Sequence, residues 1–398
     1  MFDNEISVIK LDKISKRVKE SKHPRILERI NNLSSLDYAV YGHQSCHFDS
    51  NEPIFTILLT LHDANLDYIM QSIFSIQKQT YRNTELIIID NGSTGATSKY
   101  VNDIFLNDSR IKLLRVLRNQ YDPYAGDRNP LVDLWNAGLF SSIGDFVFFQ
   151  SYDDLLSLNY VESMVKLFRD NPKCVSASPL VSSIDENGDV NSEFTRALQA
   201  SNSRNRYENG IYLAQCKMRD IHLINSPGGL LAQKSEAVIN FGGFDSMNDL
   251  TQIFRFAIHG EVGFDPQAML FWRHHEFQTN RNQTRMGISY YKEFLEMPIR
   301  YGLFKVHMEV GGSEFAEEFR DYLNSEASKM AIDNVKTTLY RYGQKSGNKA
   351  LLLLMKEAQI RIVIKSVYVW TVVSIHILLR RSTLIRRAAQ IAKELLSK

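Results

Sequence analysis

Between Ile54 and Gln150 short apolar runs rich in β-formers alternate with segments of helical period, and few folds accept that alternation. Ile54–Leu61 is such a run, and Leu66–Gln79 has helical spacing. Glu85–Asp90 (Glu-Leu-Ile-Ile-Ile-Asp) is a second buried-type strand, closed by the turn signal Asn91-Gly92-Ser93. A helix over 96–106, a strand over 111–117, a helix over 130–142 and a strand at Asp145–Gln150 follow. The series predicts βαβ units: an α/β fold with a mainly parallel sheet and helices on both faces. In such sheets ligands gather at the carboxyl ends of the strands, so residues just after strands are the ones to read for chemistry.

Outside that block the texture changes. Residues 8–35 are mixed-charge with helical spacing (Val8, Leu11, Ile14, Val18), which predicts an N-terminal helical extension over 1–50. Cys174–Val181 reads as a strand and 190–225 as polar and irregular; Gly228–Gln233, a helix near 246–259 and the strand Ala268–Trp272 follow. Together 51–290 reads as one domain, and 291–398 as a mostly helical C-terminal region. Lys plus Arg number 47 against 45 Asp plus Glu, so the net charge of +2 lacks the basic excess of a nucleic-acid binder. Three scattered cysteines (Cys46, Cys174, Cys216) without C-x-x-C spacing predict a reducing compartment and no cysteine zinc site. The charged start and the absence of an apolar run of roughly 20 residues predict a cytoplasmic chain without a spanning helix.

No P-loop, G-x-G-x-x-G, H-E-x-x-H or G-x-S-x-G pattern is present. What remains is a set of carboxylates at strand ends: Asp90, the pair Asp153-Asp154, and Asp249 beside a helix start. Asp90 ends an apolar strand before a tight turn. There it either caps the turn or accepts a hydrogen bond from a flat N–H donor such as a nucleobase imide. Asp153-Asp154 follows the apolar strand Phe146–Phe149 at the same sheet edge. Adjacent carboxylates repel unless a cation lies near them, which fits a divalent metal on a diphosphate; the alternative is a helix N-cap at Asp154.

The segment Phe55–Asp154 resembles the nucleotide-sugar-binding half of the family 2 glycosyltransferases with the GT-A fold. The likeness is carried by Gln79-Thr80-Tyr81, the turn Asp90-Asn91-Gly92-Ser93-Thr94, Asn136-Ala137-Gly138-Leu139, and Gly144-Asp145-Phe146 running into Ser151-Tyr152-Asp153-Asp154. Gly242-Gly243-Phe244-Asp245 with Asn248-Asp249, and Arg273-His274-His275 with Gln278-Thr279-Asn280-Arg281, extend it to about residue 285. Four sites depart from the family pattern: Asn248 stands where the family usually has Glu, and three more differ. Ser151 stands where the metal motif has its first acid, Thr60-Leu61-His62-Asp63 replaces the motif after the first strand, and Trp135 replaces a basic residue.

The resemblance implies a GT-A, Rossmann-like domain and an inverting, metal-dependent transferase. It would move a hexosyl or N-acetylhexosaminyl group from a nucleoside-diphosphate donor, a UDP-sugar first, to a hydroxyl of a glycan or lipid-linked acceptor in capsule or O-antigen assembly. Asp90, Asp63 and Ser151 would contact the donor, and Asp153 would bind manganese or magnesium. Asp249 would be the general base. His275 is read either as a second metal ligand or as structural, and Arg281 either as a phosphate clamp or as a surface cation. A catalytically silent nucleotide-sugar-binding subunit of the same fold is the alternative. The tail has its own signal. From Lys356 to Lys398 nine basic residues face Glu357 and Glu394, a net of +7, around the uncharged 14-residue stretch Ser366–Leu379. With Tyr368, Trp370 and Arg380-Arg381 that stretch suits a peripheral membrane contact; the alternatives are a core helix or a homodimer interface.

Overall fold

The computed structural model describes residues 6–9, 16–44, 46–121, 130–200, 205–219, 221, 223, 231–245, 252–276, 295–357 and 360–381. Two compact units divide the chain: Met1–His275 with Tyr301–Glu318, and Glu276–Arg300 with Phe319–Lys398.

The first unit is built on an 11-stranded sheet. In chain order its elements are β1 (Ile6–Ile9), α1 (Lys16–Glu20), α2 (Pro24–Leu33), β2 (Tyr38–His43), β3 (Phe55–Leu61), α3 (Leu66–Gln77), β4 (Thr84–Asn91) and α4 (Gly95–Asn107). Next come β5 (Ile111–Val116), α5 (Pro130–Ser141), β6 (Phe146–Ser151), β7 (Leu155–Leu156), α6 (Tyr160–Asp170), β8 (Cys174–Ile184), α7 (Ser192–Ala200), β9 (Tyr207–Asn209) and α8 (Gly210–Met218). β10 (Ala232–Lys234), α9 (Ser235–Asn240) and β11 (Glu261–Arg273) complete the series. The order across the sheet is β1-β2-β5-β4-β3-β6-β10-β8-β11-β7, with β9 paired to β11. β5, β4, β3 and β6 run parallel, as do β8 and β11.

The central strands are apolar along their length because both faces are covered. Ile57, Leu59 and Ile88 point to one side, onto Ile69 and Ile73 of α3, Val101 of α4 and Met164 of α6. Leu58, Ile87 and Ile89 point to the other, onto Ile26 of α2, Leu134 and Phe140 of α5 and Val238 of α9. The register Leu61↔Asp90 and Thr60↔Ser151 brings the ends of β3, β4 and β6 to one edge. Antiparallel pairing of β11 with β7, Phe271↔Leu155, carries Arg273 back to that edge.

Three stretches differ from the sequence reading. The first fifty residues hold the two short helices α1 and α2 but also two strands, which pair with each other and with β5. β2 is half-buried at most positions, so its six residues show no clear period. The polar stretch 190–225 holds α7, β9 and α8. Between 252 and 259 the backbone forms a π-helical turn and a 3-10 turn in place of an α-helix.

The second unit holds most of α10 (Leu303–Glu357), whose first turns lie in the first unit, and all of α11 (Ile360–Arg381). Among the described residues no helix is long and apolar enough to cross a membrane. The Trp370 indole N–H donates to Asn348 Oδ1 at 3.0 Å, which ties α11 to α10. The indole is therefore turned toward a helix of its own unit, whereas Tyr368 of α11 is exposed.

Candidate active site

The chain leaving β6 turns sharply, and side chains hold the turn. Gln150, buried, donates from Nε2 to Asp154 O at 2.9 Å and to Ser72 Oγ at 3.0 Å. Asp153 and Asp154 are thereby fixed side by side at the sheet edge, both nearly removed from solvent. Their roles separate. Asp154 Oδ1 accepts the backbone N–H of Arg273 at 3.0 Å, which staples β11 to the turn. Asp153 Oδ2 lies 2.9 Å from His275 Nε2. The His275 ring packs against Tyr68 at 5.1 Å between centroids, and its Nδ1 is buried with no hydrogen-bond partner among the described residues.

Burial first, and then the negative charge of Asp153, push the Asp154 carboxyl well above the usual carboxylate range; its bond from Arg273 opposes this. Burial likewise raises the neighbouring Tyr152 phenol, and both carboxylates add to the effect.

Arg273 joins these parts. It is completely buried; Nε donates to Asp153 O at 2.9 Å, Nη1 to the carbonyls of Asp185 and Glu186 at 3.2 Å, and Nη2 to Gln71 Oε1 at 2.7 Å. Its guanidinium also stands 4.5 Å from the centroid of the Tyr68 ring that packs on His275.

At the neighbouring strand ends, Asp90 is completely buried. Its Oδ1 accepts from the Ser93 backbone N–H at 2.9 Å, the turn cap, and its Oδ2 accepts from Arg115 Nε at 2.7 Å. Asp63 is exposed and accepts both the backbone N–H and the hydroxyl of Thr94, at 2.8 and 2.6 Å. The Thr94 hydroxyl, above all, lowers the Asp63 carboxyl below its ordinary value. Ser151, half-buried, ends β6 in register with Thr60.

The structure thus brings Asp63, Asp90, Ser151, Asp153 and His275 to one edge. Asp249, Asn248 and Arg281 lie outside the described residues. Arg115 and Arg273 are the site residues that the sequence gives no role. The spacing of Arg273, two residues before His275 at a strand end, is the signal that was available.

Several motif residues prove to be scaffold. Gln79 receives Val161 N–H on Oε1 and donates to the carbonyls of Ser75 and Ser157. Asn136 accepts from Phe244 N at 2.9 Å and donates to Phe244 O and Val132 O. It fixes a loop in which Gly243 holds φ +79° and leaves no room for a Cβ, which would meet Asn136 Oδ1 at 2.1 Å.

The family model described as Glycosyl transferase family 2 matches residues 56–225. An uncharacterized glycosyltransferase of Haemophilus influenzae is 32% identical over 121 residues, 30% of this chain and 44% of that protein. Glycosyltransferase GlyG of Streptococcus pneumoniae is 24% identical over 97 residues, 24% of this chain and 29% of that one. The chain therefore spans less than half the length of these curated relatives. Among solved structures, S. aureus TarS 1–349 in complex with UDP-GlcNAc superposes with a TM-score of 0.54 at 12% identity, over 81% of this chain and 90% of that one, a likeness of fold. Over residues 56–225 the chain is thus similar to the family 2 glycosyltransferases, and its α/β sheet shares the fold of TarS.

Proposed function

We propose that the protein is an inverting, metal-dependent glycosyltransferase. It moves a hexosyl or N-acetylhexosaminyl group from a nucleoside-diphosphate sugar, a UDP-sugar first, to a hydroxyl of a glycan or lipid-linked glycan in surface-polysaccharide assembly. The observation that carries this reading is the meeting of Asp153 and His275 at the carboxyl edge of the parallel strands, where α/β sheets bind ligands. A UDP-sugar donor agrees with the fold likeness to TarS, which was solved with UDP-GlcNAc.

The residues present fit a manganese or magnesium ion. Asp153 Oδ2 and His275 Nε2, hydrogen-bonded at 2.9 Å, set a carboxylate oxygen and an imidazole nitrogen side by side, and these two groups would hold the cation. Among the described residues no group of three or more His, Cys, Asp or Glu side chains gathers, so a cation held by this pair would take its other ligands from substrate or solvent. When bound, the cation supplies neutralisation of the charge that develops on the departing nucleoside diphosphate.

The chain's own groups do the rest. Asp63 and Asp90 define the base-binding end, Asp63 as the exposed carboxylate and Asp90 through the turn it holds. Ser151 offers a hydroxyl between that end and Asp153. Asp249 takes the proton of the acceptor hydroxyl as its oxygen attacks the anomeric carbon, and the bond to the diphosphate oxygen breaks on the opposite face. Arg281 steadies the diphosphate.

A donor panel tests the proposal: release of nucleoside diphosphate from UDP-, GDP- and TDP-sugars with added manganese. Asp153→Ala should cut release at least about 10²-fold, and Asp249→Asn about 10²–10⁴-fold with donor binding kept. Ser151 and Asn248, which replace family acids, favour a second reading, a silent binding subunit. A wild-type chain that binds donors and never releases diphosphate would establish that reading.

A further inference from the structure

The geometry points to one face of α11 as a docking surface for an anionic lipid bilayer, on which the helix lies without crossing. On that helix Val363, Ser366, Val373 and Ser374 are buried. The opposite face is open to solvent and yet apolar: Ile364 is 62% exposed, Tyr368 70%, Val372 48% and Ile375 50%. These positions follow each other by three or four residues, so they form one stripe along the helix. A row of exposed β-branched side chains with a tyrosine, and no charge within it, gains nothing from water. Such a stripe calls for an apolar cover.

Charge identifies the cover. Residues 356–398 carry nine Lys or Arg against two Glu, a net of +7, whereas residues 1–355 carry 38 basic against 43 acidic, a net of −5. Lys365 is exposed on the same helix, flanking the stripe. A second copy of the chain placed on this face would bring two strongly positive segments together. An anionic leaflet instead attracts them, at about 1 kcal/mol per Lys or Arg near its surface. Shallow insertion of an apolar helix face with basic flanks is how interfacial helices bind. The stripe is also too short to span, in keeping with the absence of a spanning helix among the described residues.

The test is sedimentation of the full-length chain with vesicles of phosphatidylcholine alone and of phosphatidylcholine mixed with phosphatidylglycerol. At low salt the chain should pellet with the mixed vesicles and stay in solution with the neutral ones. Raising the salt should release it, since the attraction is screened. The triple variant Ile364→Ser, Tyr368→Ser, Ile375→Ser should lower the bound fraction at least about tenfold with an unchanged circular dichroism spectrum. Should the triple variant unfold, Ile364→Ser alone, with the salt and lipid dependence of the wild type, decides the matter. A wild-type chain that never pellets with mixed vesicles overturns the inference, and so does equal binding to neutral ones. A wild-type dimer that the triple variant turns into a monomer, seen by light scattering, also overturns it and assigns the stripe to a second copy.

Discussion

A guanidinium removed from solvent needs partners for its five N–H groups, and Arg273 finds them in segments far apart in sequence: the turn at Asp153, the carbonyls of Asp185 and Glu186, and Gln71 of α3. Its own backbone N–H holds Asp154. Through Tyr68 it also backs the His275 ring. Arg273 is therefore a positioning residue for the Asp153–His275 pair. Lysine keeps the charge but offers a point donor in place of a planar fork, so it reaches one of these partners and not all. If the pair holds the cation as proposed, Arg273→Lys should lower manganese affinity about 10–100-fold in a chain that still folds, the usual effect of losing an outer partner of a metal ligand. Titration of Mn2+ followed by electron paramagnetic resonance reads this directly. A lower melting temperature with unchanged manganese affinity would give Arg273 a structural role only.

Among the elements, α5 shows how a family motif can act at a distance from chemistry. Asn136 clamps the Gly243-Phe244 loop from inside the core, and Gly138 lets α5 approach β4, where a Cβ would meet Ile89 at 2.9 Å. Asn136→Ala removes three hydrogen bonds and leaves the Phe244 N–H buried without its acceptor. The expected cost is about 2–4 kcal/mol in urea denaturation, with diphosphate release per folded molecule little changed. A large loss of release in a variant of wild-type stability would move Asn136 into the donor site. The core strands and helices of this element series were legible because β3 and β4 are buried on both faces and so read as unbroken apolar runs. The edge strands β1 and β2 were not, since short, half-buried strands carry little pattern. The helices α7 and α8 lay hidden in polar sequence. At the sheet edge, Asp90 and Asp153-Asp154 lie at the strand ends where the sequence reading puts them. Their arginine partners were not legible, because Arg115 reaches back 25 residues and the Arg273 backbone N–H reaches back 119, and only the sheet register brings them home.

At the scale of the whole molecule, the pH dependence of stability follows from how the sheet-bearing unit takes in residues 301–318. His307, near the start of α10, is completely buried; one ring nitrogen lies 2.7 Å from Phe254 O, and the ring stacks on Phe315 at 4.8 Å. Burial lowers its pKa to about 4, His259 adds to the lowering, and the Phe254 carbonyl opposes it. His259 is itself lowered by burial, where it stacks on Phe241. Above about pH 6.5 the His307 imidazole is neutral in the folded and the unfolded chain alike, and its contribution is flat. As the pH falls from there, the unfolded chain takes up a proton that the folded one refuses until about pH 4. Stability is lost across that window, about 3 kcal/mol from this group, and the loss levels off below it. That is a sizeable share of the 5–15 kcal/mol that ordinarily separates folded from unfolded. His307→Gln keeps a side-chain N–H for the Phe254 carbonyl and cannot titrate. Urea midpoints measured from pH 7.5 to pH 4 should therefore fall less steeply for the variant than for the wild type, about 3 kcal/mol of the difference accruing between pH 6.5 and 4. Parallel curves would show that His307 does not set the acid limit and would pass that role to His259 and the carboxylates.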